Sequence, residues 1–484
     1  AYLLTNVIEG FSHNKIRPRK TTSTGASTDR LYQNNGDGTF TNISKEAGIK
    51  TEGYGLGVGV LDINKDGYED IYCSNDFITN DLLWLNNGDG TFTESHADYF
   101  TQTSYNGMGM DIADFNNDMK VDLVQVDMLP ESNYHHKTMT PAMDYNNQRM
   151  RFMIGYNAQY VRNTLQLQQG TNQFSEIGRI AEVHKTDWSW APLFLDFDND
   201  GYKDLFISNG YGRDVTDLDY GSYSAQESLD PKSTQEVRDQ KQFEGFNELP
   251  PIKLPNYFFS NNKDLTFSNV TNRVNEHEAS ISNGAVYVDL DNDGDLEIIT
   301  SNMNGPSFVY KNLTSENTET KHNHLSIKLK QKGANPDGIG AAIEVYHSGK
   351  KQLVQQRPVR GYTSSVDYRL HLGLGPSSTV DSVLVVWPGK SLTEVFKEIK
   401  VNELNTLTKG QGAATTDVKT EEQPLFKQAD LTIAKHTENE YVDFYDHPLY
   451  LKMLSREGPA LAVADINNDG KDDFIQGSAF RDTT

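Results

Sequence analysis

Only one cysteine, Cys73, occurs in 484 residues, so no internal disulfide can form, and that thiol reads as a small residue filling a strand. No run of 18 apolar residues occurs, which excludes a helix crossing a bilayer. Basic residues are scarce, 44 against 68 acidic ones, and the net charge of -24 disfavours nucleic acid, which needs cations against its phosphates. There is no H-E-x-x-H, no G-x-S-x-G and no phosphate-binding glycine loop. A targeting signal is missing too. Residues 2–6, YLLTN, read like the strand that leaves an acidic loop, so the chain is expected to be an internal fragment and the missing signal carries no weight.

Against these absences stands one short acidic loop written five times. It reads DINKDGYED (Asp62–Asp70), DFNNDMKVD (Asp114–Asp122), DFDNDGYKD (Asp196–Asp204), DLDNDGDLE (Asp289–Glu297) and DINNDGKDD (Asp465–Asp473). Side-chain oxygens recur at positions 1, 3, 5 and 9, and hydrophobic runs flank every copy. About twenty of the acidic residues lie in these loops. Four like charges in nine residues repel one another unless a cation joins them. Hard cations such as calcium take six to eight oxygens at about 2.3–2.6 Å, whereas magnesium demands near-octahedral geometry and keeps its waters.

The spacing therefore predicts Ca2+, about one ion per loop. The side-chain ligands are expected from Asp62, Asn64, Asp66 and Asp70; Asp114, Asn116, Asp118 and Asp122; Asp196, Asp198, Asp200 and Asp204; Asp289, Asp291, Asp293 and Glu297; and Asp465, Asn467, Asp469 and Asp473. The backbone carbonyls of Tyr68, Lys120, Tyr202, Asp295 and Lys471 complete the sets. No Glu stands at position 12 and the flanks are strands, so these are not helical EF-hand loops. Met119 replaces the glycine of the other copies, and a side chain at positive φ costs roughly 1 kcal/mol. That loop is expected to be distorted or to bind more weakly.

After most acidic loops comes a second string: DRLYQNNGDGTFTNIS (Asp29–Ser44), DLLWLNNGDGTFTES (Asp81–Ser95), NTLQLQQGTNQFSEIG (Asn163–Gly178) and NYFFSNNKDLTFSNVT (Asn256–Thr271). Each is a strand, a polar turn whose residues tolerate positive φ, and a second strand. An inner strand, the loop, a second inner strand and this hairpin make four antiparallel strands. Repeated radially, they describe a β-propeller blade. Loop starts at 62, 114, 196 and 289 are unevenly spaced because of insertions at 127–162 and 211–255, both with helical stretches. The expected fold is all-β. A propeller spans 1–320, a small β-sandwich-like domain 324–410 and a linker 411–424, and a second propeller starts in 425–484.

A catalytic centre is not visible. Paired carboxylates about 5–9 Å apart serve glycoside hydrolysis, but chance pairs abound in so acidic a chain. His135, His136 and His184 read as surface or packing groups, and Trp188 and Trp190 as core residues, one of them facing the channel.

The acidic loops and NNGDGTF hairpins resemble the FG-GAP/VCBS-type repeats of the integrin-like propeller class. LHLGLG (Leu370–Gly375) and VDSVLVVWPG (Val380–Gly389) resemble the ASPIC/UnbV domain, which follows such propellers in bacterial secreted proteins and in a cartilage acidic protein of animals. The restart GPALAVADINNDG resembles the large two-propeller proteins of Bacteroidetes. The resemblance implies calcium in the loops and a secreted or bacterial outer-membrane surface location. It implies no established reaction. The leading function is thus a calcium-stabilised binding or adhesion scaffold for a glycan or protein partner. The alternatives are a calcium-dependent polysaccharide lyase or hydrolase, and a structural part of a larger surface complex.

Overall fold

Inner strands that carry glycine on alternate positions can approach one another closely, and Gly55–Leu61 (GLGVGVL) does so. A Cβ on Gly59 would lie 2.4 Å from Ile112 Cδ1 of the next sheet, and one on Gly57 2.9 Å from the Met108 carbonyl. The computed structural model describes residues 1–7, 16–139, 145–170, 172–229, 234–275, 278–316, 322–389, 392–415 and 435–479. Among them the chain is all-β, with helices confined mainly to the insertions.

Three sheets follow the expected unit. They are Gly55–Leu61, Asp70–Asn75, Leu82–Asn86 and Phe92–Glu94; Met110–Ala113, Asp122–Gln125, Thr164–Gly170 and Gln173–Glu176; and Ser189–Leu195, Asp204–Asn209, Tyr257–Asn261 and Phe267–Asn269. Each is an antiparallel meander in sequence order. Three-stranded sheets flank them, Tyr2–Leu3 with Arg30–Asn34 and Phe40–Asn42 before, and Ser282–Val288 with Glu297–Asn302 and Phe308–Tyr310 after. The strands Gly55–Leu61, Met110–Ala113, Ser189–Leu195 and Ser282–Val288 lie side by side in that order, the radial arrangement of propeller blades. Apolar wedges fill the gaps between sheets. Phe115, Leu165, Phe194, Leu205 and Ile207 form one, and Leu193, Phe206, Ala285 and Ile298 another. Each large side chain buried there is worth about 1.5–3 kcal/mol.

The first four acidic loops join first to second strands, so within Ala1–Asp417 they sit at one end of the sheets. Both insertions leave from the ends of second strands and therefore lie at the opposite end. The first carries helices Asn133–Thr138 and Tyr145–Met153, the second Leu218–Leu229 and Gln235–Glu248. A short parallel pair, Gln102–Ser104 with Ala158–Tyr160, was not foreseen; it ties the first insertion back to the ring.

The β-domain is two sheets face to face. One is Leu370–Gly375, Asn323–Lys330 and Leu404–Thr408; the other is Lys350–Gln355, Ala342–His347, Ser382–Val386, Thr393–Phe396 and Ala413–Thr415. Alternate residues Leu325, Ile327, Leu329, Ile343, Val345, Val383 and Val385 fill the space between them. The expected linker at 411–424 begins later than its composition implied, because Ala413–Thr415 pairs with Thr393–Val395 as an edge strand. Its part from 416 onward lies outside the described residues, as do 425–434 of the expected second propeller.

Compactness divides the chain into Ala1–Asp417 and Val418–Thr484. The second unit carries the hairpin Leu461–Ala464 with Asp473–Gln476 around the fifth acidic loop.

Inside the first unit the β-domain sends a narrow hairpin, Val359–Arg360 with Ser364–Ser365, onto the axis where the inner strands meet. It touches the inner strands of four sheets. Gly361 exchanges backbone hydrogen bonds with Met110 at 2.9 and 3.2 Å. Arg360 reaches the buried Asp111 at 2.8 Å, and Ser364 Oγ accepts from the Ala285 N–H at 3.1 Å. Tyr362 packs on Trp190, their rings 4.9 Å apart.

Candidate metal loops and the cavity at the opposite end

The five loops share one internal hydrogen-bond scheme. The position-7 N–H of Tyr68, Lys120, Tyr202, Asp295 and Lys471 donates to the position-5 carboxylate, at 2.8–3.2 Å. The position-1 carboxylate of Asp62, Asp114, Asp196 and Asp465 accepts from the backbone N–H groups at positions 5 and 6. The fourth loop departs from this, and there Asp289 Oδ1 is buried without a protein partner. Met119 sits at φ 67° and donates to Asp114 Oδ2 at 3.0 Å, as Gly67 does to Asp62 at 2.7 Å. The distortion expected of that loop is absent, since the methionine takes the left-handed conformation at a cost of about 1–2 kcal/mol.

Position 9 does more than its spacing suggested. One oxygen of Asp70, Asp204, Glu297 and Asp473 accepts the position-2 N–H of its own loop. The other oxygen of Asp70 and Asp204, and Oδ1 of Asp122, accepts from the third strand at the N–H of Asn86, Asn261 and Gln168, and that of Glu297 from Asn312, two residues past its third strand. The asparagine amides of Asn86, Asn261 and Asn312 return to the position-8 carbonyls. The N-N pairs at two of these hairpin turns, Asn86-Asn87 and Asn261-Asn262, were the available signal for this clamp.

The carboxylates converge most closely in two loops. Oxygens of Asp196, Asp198 and Asp204 lie within 4.8 Å of one another, as do those of Asp289, Asp291 and Glu297, and those of Asp291, Asp293 and Asp295. Asp200 instead meets Lys263 Nζ at 2.7 Å, and Asp118 meets Lys120 Nζ at 3.4 Å. In the first and fifth loops the position-3 amides of Asn64 and Asn467 donate to Asp66 and Asp469, and in the second Asn116 Oδ1 accepts the Asp118 N–H at 3.2 Å. Burial, reinforced by neighbouring carboxylates, pushes Asp70 up to about 6 and Asp114 and Asp196 up to about 7. Clustered, desolvated carboxylates whose N–H donors do not offset their burial are a donor set that fits a hard divalent cation.

Position 4 was not among the expected residues, yet it links the loops. Lys65 Nζ donates to the Met119 carbonyl at 3.0 Å, Asn117 Nδ2 to that of Gly201 at 2.9 Å, and Asn199 Nδ2 to that of Gly294 at 2.9 Å. Each position-4 residue reaches position 6 of the next loop, and Asn292 continues the series by accepting from Arg369 of the β-domain at 3.0 Å. The β-domain covers this end of the third and fourth loops. Gly373 N donates to Asp196 Oδ2 at 3.1 Å, His371 Nε2 lies 2.7 Å from Asn199 Oδ1, and His322 Nδ1 donates to the Asp198 carbonyl at 2.7 Å. A Cβ on Gly373 would lie 2.2 Å from Asp196 Oδ2, so only glycine permits that approach. Arg357 adds a bond to Glu69 at 2.9 Å beside the first loop.

At the insertion end a cavity of about 650 Å³ opens among the first insertion, the end of the second at Leu254 and Pro255, the start of the third sheet's third strand and the exit of its hairpin. Here His135 departs from its reading as a surface or packing group. Its Nδ1 lies 2.8 Å from Asp187 Oδ1 and its Nε2 3.5 Å from Asp214 Oδ2. Asp187 is held at φ 57°, and its second oxygen accepts from the Glu131 N–H at 3.1 Å. Trp188 and Trp190 are buried as expected, Trp188 stacked on Tyr211 with centroids 3.8 Å apart.

Hydrogen bonds to Asp187 and then Asp214 push His135 up to about 9. Its folded value thus exceeds the unfolded value of about 6.5, so its contribution to stability is complete below about pH 6.5 and is lost as pH rises through about 9. An NMR titration of the imidazole should give a midpoint near 9. A midpoint near 6.5 would mean that the two aspartates do not hold the ring.

Radially arranged, metal-competent β-sheets capped by a β-domain define the class. Residues 22–73 and 62–124 match the FG-GAP-like repeat model, and residues 331–414 match that of the ASPIC and UnbV domain. The chain therefore carries FG-GAP-like repeats followed by an ASPIC/UnbV domain. It is distantly similar to Cartilage acidic protein 1. The Xenopus tropicalis protein is 25% identical over 373 residues, covering 75% of this chain and 46% of the relative. The Homo sapiens protein is 39% identical over 83 residues, 17% of this chain and 12% of the relative. The chain thus spans less than half the length of these relatives. A Bombyx mori GH32 beta-fructofuranosidase aligns over 79% of this chain and 70% of its own at 10% identity, with a TM-score of 0.23, too low to inform fold or function. No helix among the described residues is long and apolar enough to cross a membrane.

Proposed function

We propose that this chain is a calcium-stabilised extracytoplasmic scaffold, secreted or held at a bacterial outer surface, that binds a glycan or protein partner through its insertion end. One observation carries the reading: the β-domain and its hairpin occupy the acidic-loop end and the axis, leaving the opposite end with both insertions and the large cavity. The loops then act as clips, each ion joining first and second strands of a sheet. The ligands would be the oxygens at positions 1, 3, 5 and 9 with the position-7 carbonyl, and the ion would supply positive charge to buried carboxylates rather than chemistry on a substrate. Insertions on a rigid ring are also where binding groups are commonly displayed.

Metal analysis of the purified, dialysed protein tests this. Calcium close to one ion per loop is expected, with Asp198→Asn removing about one. A protein that takes up no calcium from millimolar solution overturns the clip. Steady turnover of a polysaccharide panel would replace the scaffold reading with the enzyme one.

A further inference from the structure

Among the described residues, the cavity at the insertion end combines features that the scaffold role leaves unused. It measures about 650 Å³, within the ~300–1,000 Å³ of small-ligand sites. Its carboxylate Asp187 is held in place, turned onto His135 and the Glu131 N–H; outside the lining, Asp214 meets His135 and the Thr216 hydroxyl. Tyr257 donates to Glu131 Oε2 at 2.5 Å, which fixes that carboxylate at the cavity wall. The Ser132 side chain caps the helix that carries His135, so the imidazole is positioned by its own backbone.

What remains unengaged is of both polarities. Among the described residues nothing bonds Oε1 of the exposed Glu131, whose Oε2 takes the Tyr257 hydroxyl. The exposed Asn269 accepts the Thr271 N–H through Oδ1 at 3.0 Å, and among the described residues its Nδ2 has no acceptor. The Asn272 amide beside it is a donor and an acceptor. Leu254 and Pro255 form an apolar wall on one side. A cation would satisfy the carboxylate but leave amide donors facing it, and an anion would meet Glu131. Hydroxyl groups donate and accept alike, and the C–H face of a sugar ring suits an apolar wall.

We infer that this cavity is a saccharide-binding pocket for a neutral oligosaccharide. Glu131 Oε1 and the amides of Asn269 and Asn272 bind its hydroxyls, and Leu254 and Pro255 lie against a ring face. His135, with Asp187 and Asp214, is a positioning group that holds the first insertion in place as one side of the pocket. This rests on the reading that the insertion end is the binding end.

The experiment is saturation-transfer NMR and calorimetry with cellotriose, maltotriose, mannotriose, xylotriose and chitotriose, and with hexalysine as the basic competitor class. At least one trisaccharide is expected to bind. Asn272→Ala, at an exposed residue, and Glu131→Gln, which keeps the oxygen that Tyr257 bonds, should each weaken binding at least fivefold. Calcium content and melting temperature should be unchanged in both. Binding to none of the trisaccharides, binding that neither variant alters, or binding of hexalysine alone overturns the inference. In each of those cases intact calcium content and calcium-dependent melting would leave the scaffold itself standing, so the two readings fail separately.

Discussion

Chelation of divalent cations is expected to lower the melting temperature of this protein by about 10 °C or more. An ion that binds only the folded state at a hundred times its Kd adds about 2.7 kcal/mol, and four loops lie within Ala1–Asp417. The summed effect is on the order of 10 kcal/mol, a large fraction of the stability of any domain. The geometry explains why the loss should be cooperative. Position-4 groups pass from one loop to the carbonyl of the next, so a loop that opens releases its neighbour. Calcium, and not magnesium, should restore the transition, because loops offering this many oxygens suit the larger ion. Melting curves in excess calcium and in chelator that coincide within a degree or two would refute the metal-clip account.

Arg360→Ala is expected to cost about 3–5 kcal/mol, the range for removing one partner of a buried ion pair. Arg360 and Asp111 are both buried, and Asp111 is pinned from its other side by the Phe194 N–H at 2.7 Å. The variant would leave that carboxylate without a counter-charge on the axis of the ring. It would also free the hairpin that the backbone of Gly361 anchors to Met110. The loss should appear in chemical denaturation, together with faster proteolysis of the 356–366 segment. Replacing both partners, Arg360→Met with Asp111→Leu, should recover much of the stability, since apolar pairs often match buried ion pairs. A loss below about 1 kcal/mol for Arg360→Ala would show that the β-domain is not held to the ring through this pair.

Much of this is readable in the local sequence. A nine-residue loop with oxygens at fixed positions closes by bonds between near neighbours, so Asp62 finds the N–H groups of Asp66 and Gly67 wherever the loop is placed. Alternation of period two gives the strands, and the N-N-G-D-G turns give their hairpins. The β-domain was legible for the same reason, and its end was misjudged only because Ala413–Thr415 is too short and too small to read as a strand.

The site was less legible. His135 lies 52 residues from Asp187 and could be seen only as a histidine on a polar insertion. The position-4 residues look like filler between ligands until sheets stand side by side. Arg360 and Asp111 are 249 residues apart, and nothing near either one names the other.

The sequence alone determined the repeated unit, its loops and the place of the ASPIC/UnbV domain after the FG-GAP-like repeats, because those depend on hydrogen bonds and side-chain alternation within a few residues. Tertiary structure decided which end of the ring is covered, which residue reaches the neighbouring loop and where the free cavity opens. Those outcomes depend on packing successive twisted sheets around a common axis, which brings together groups whose separation along the chain carries no local signal.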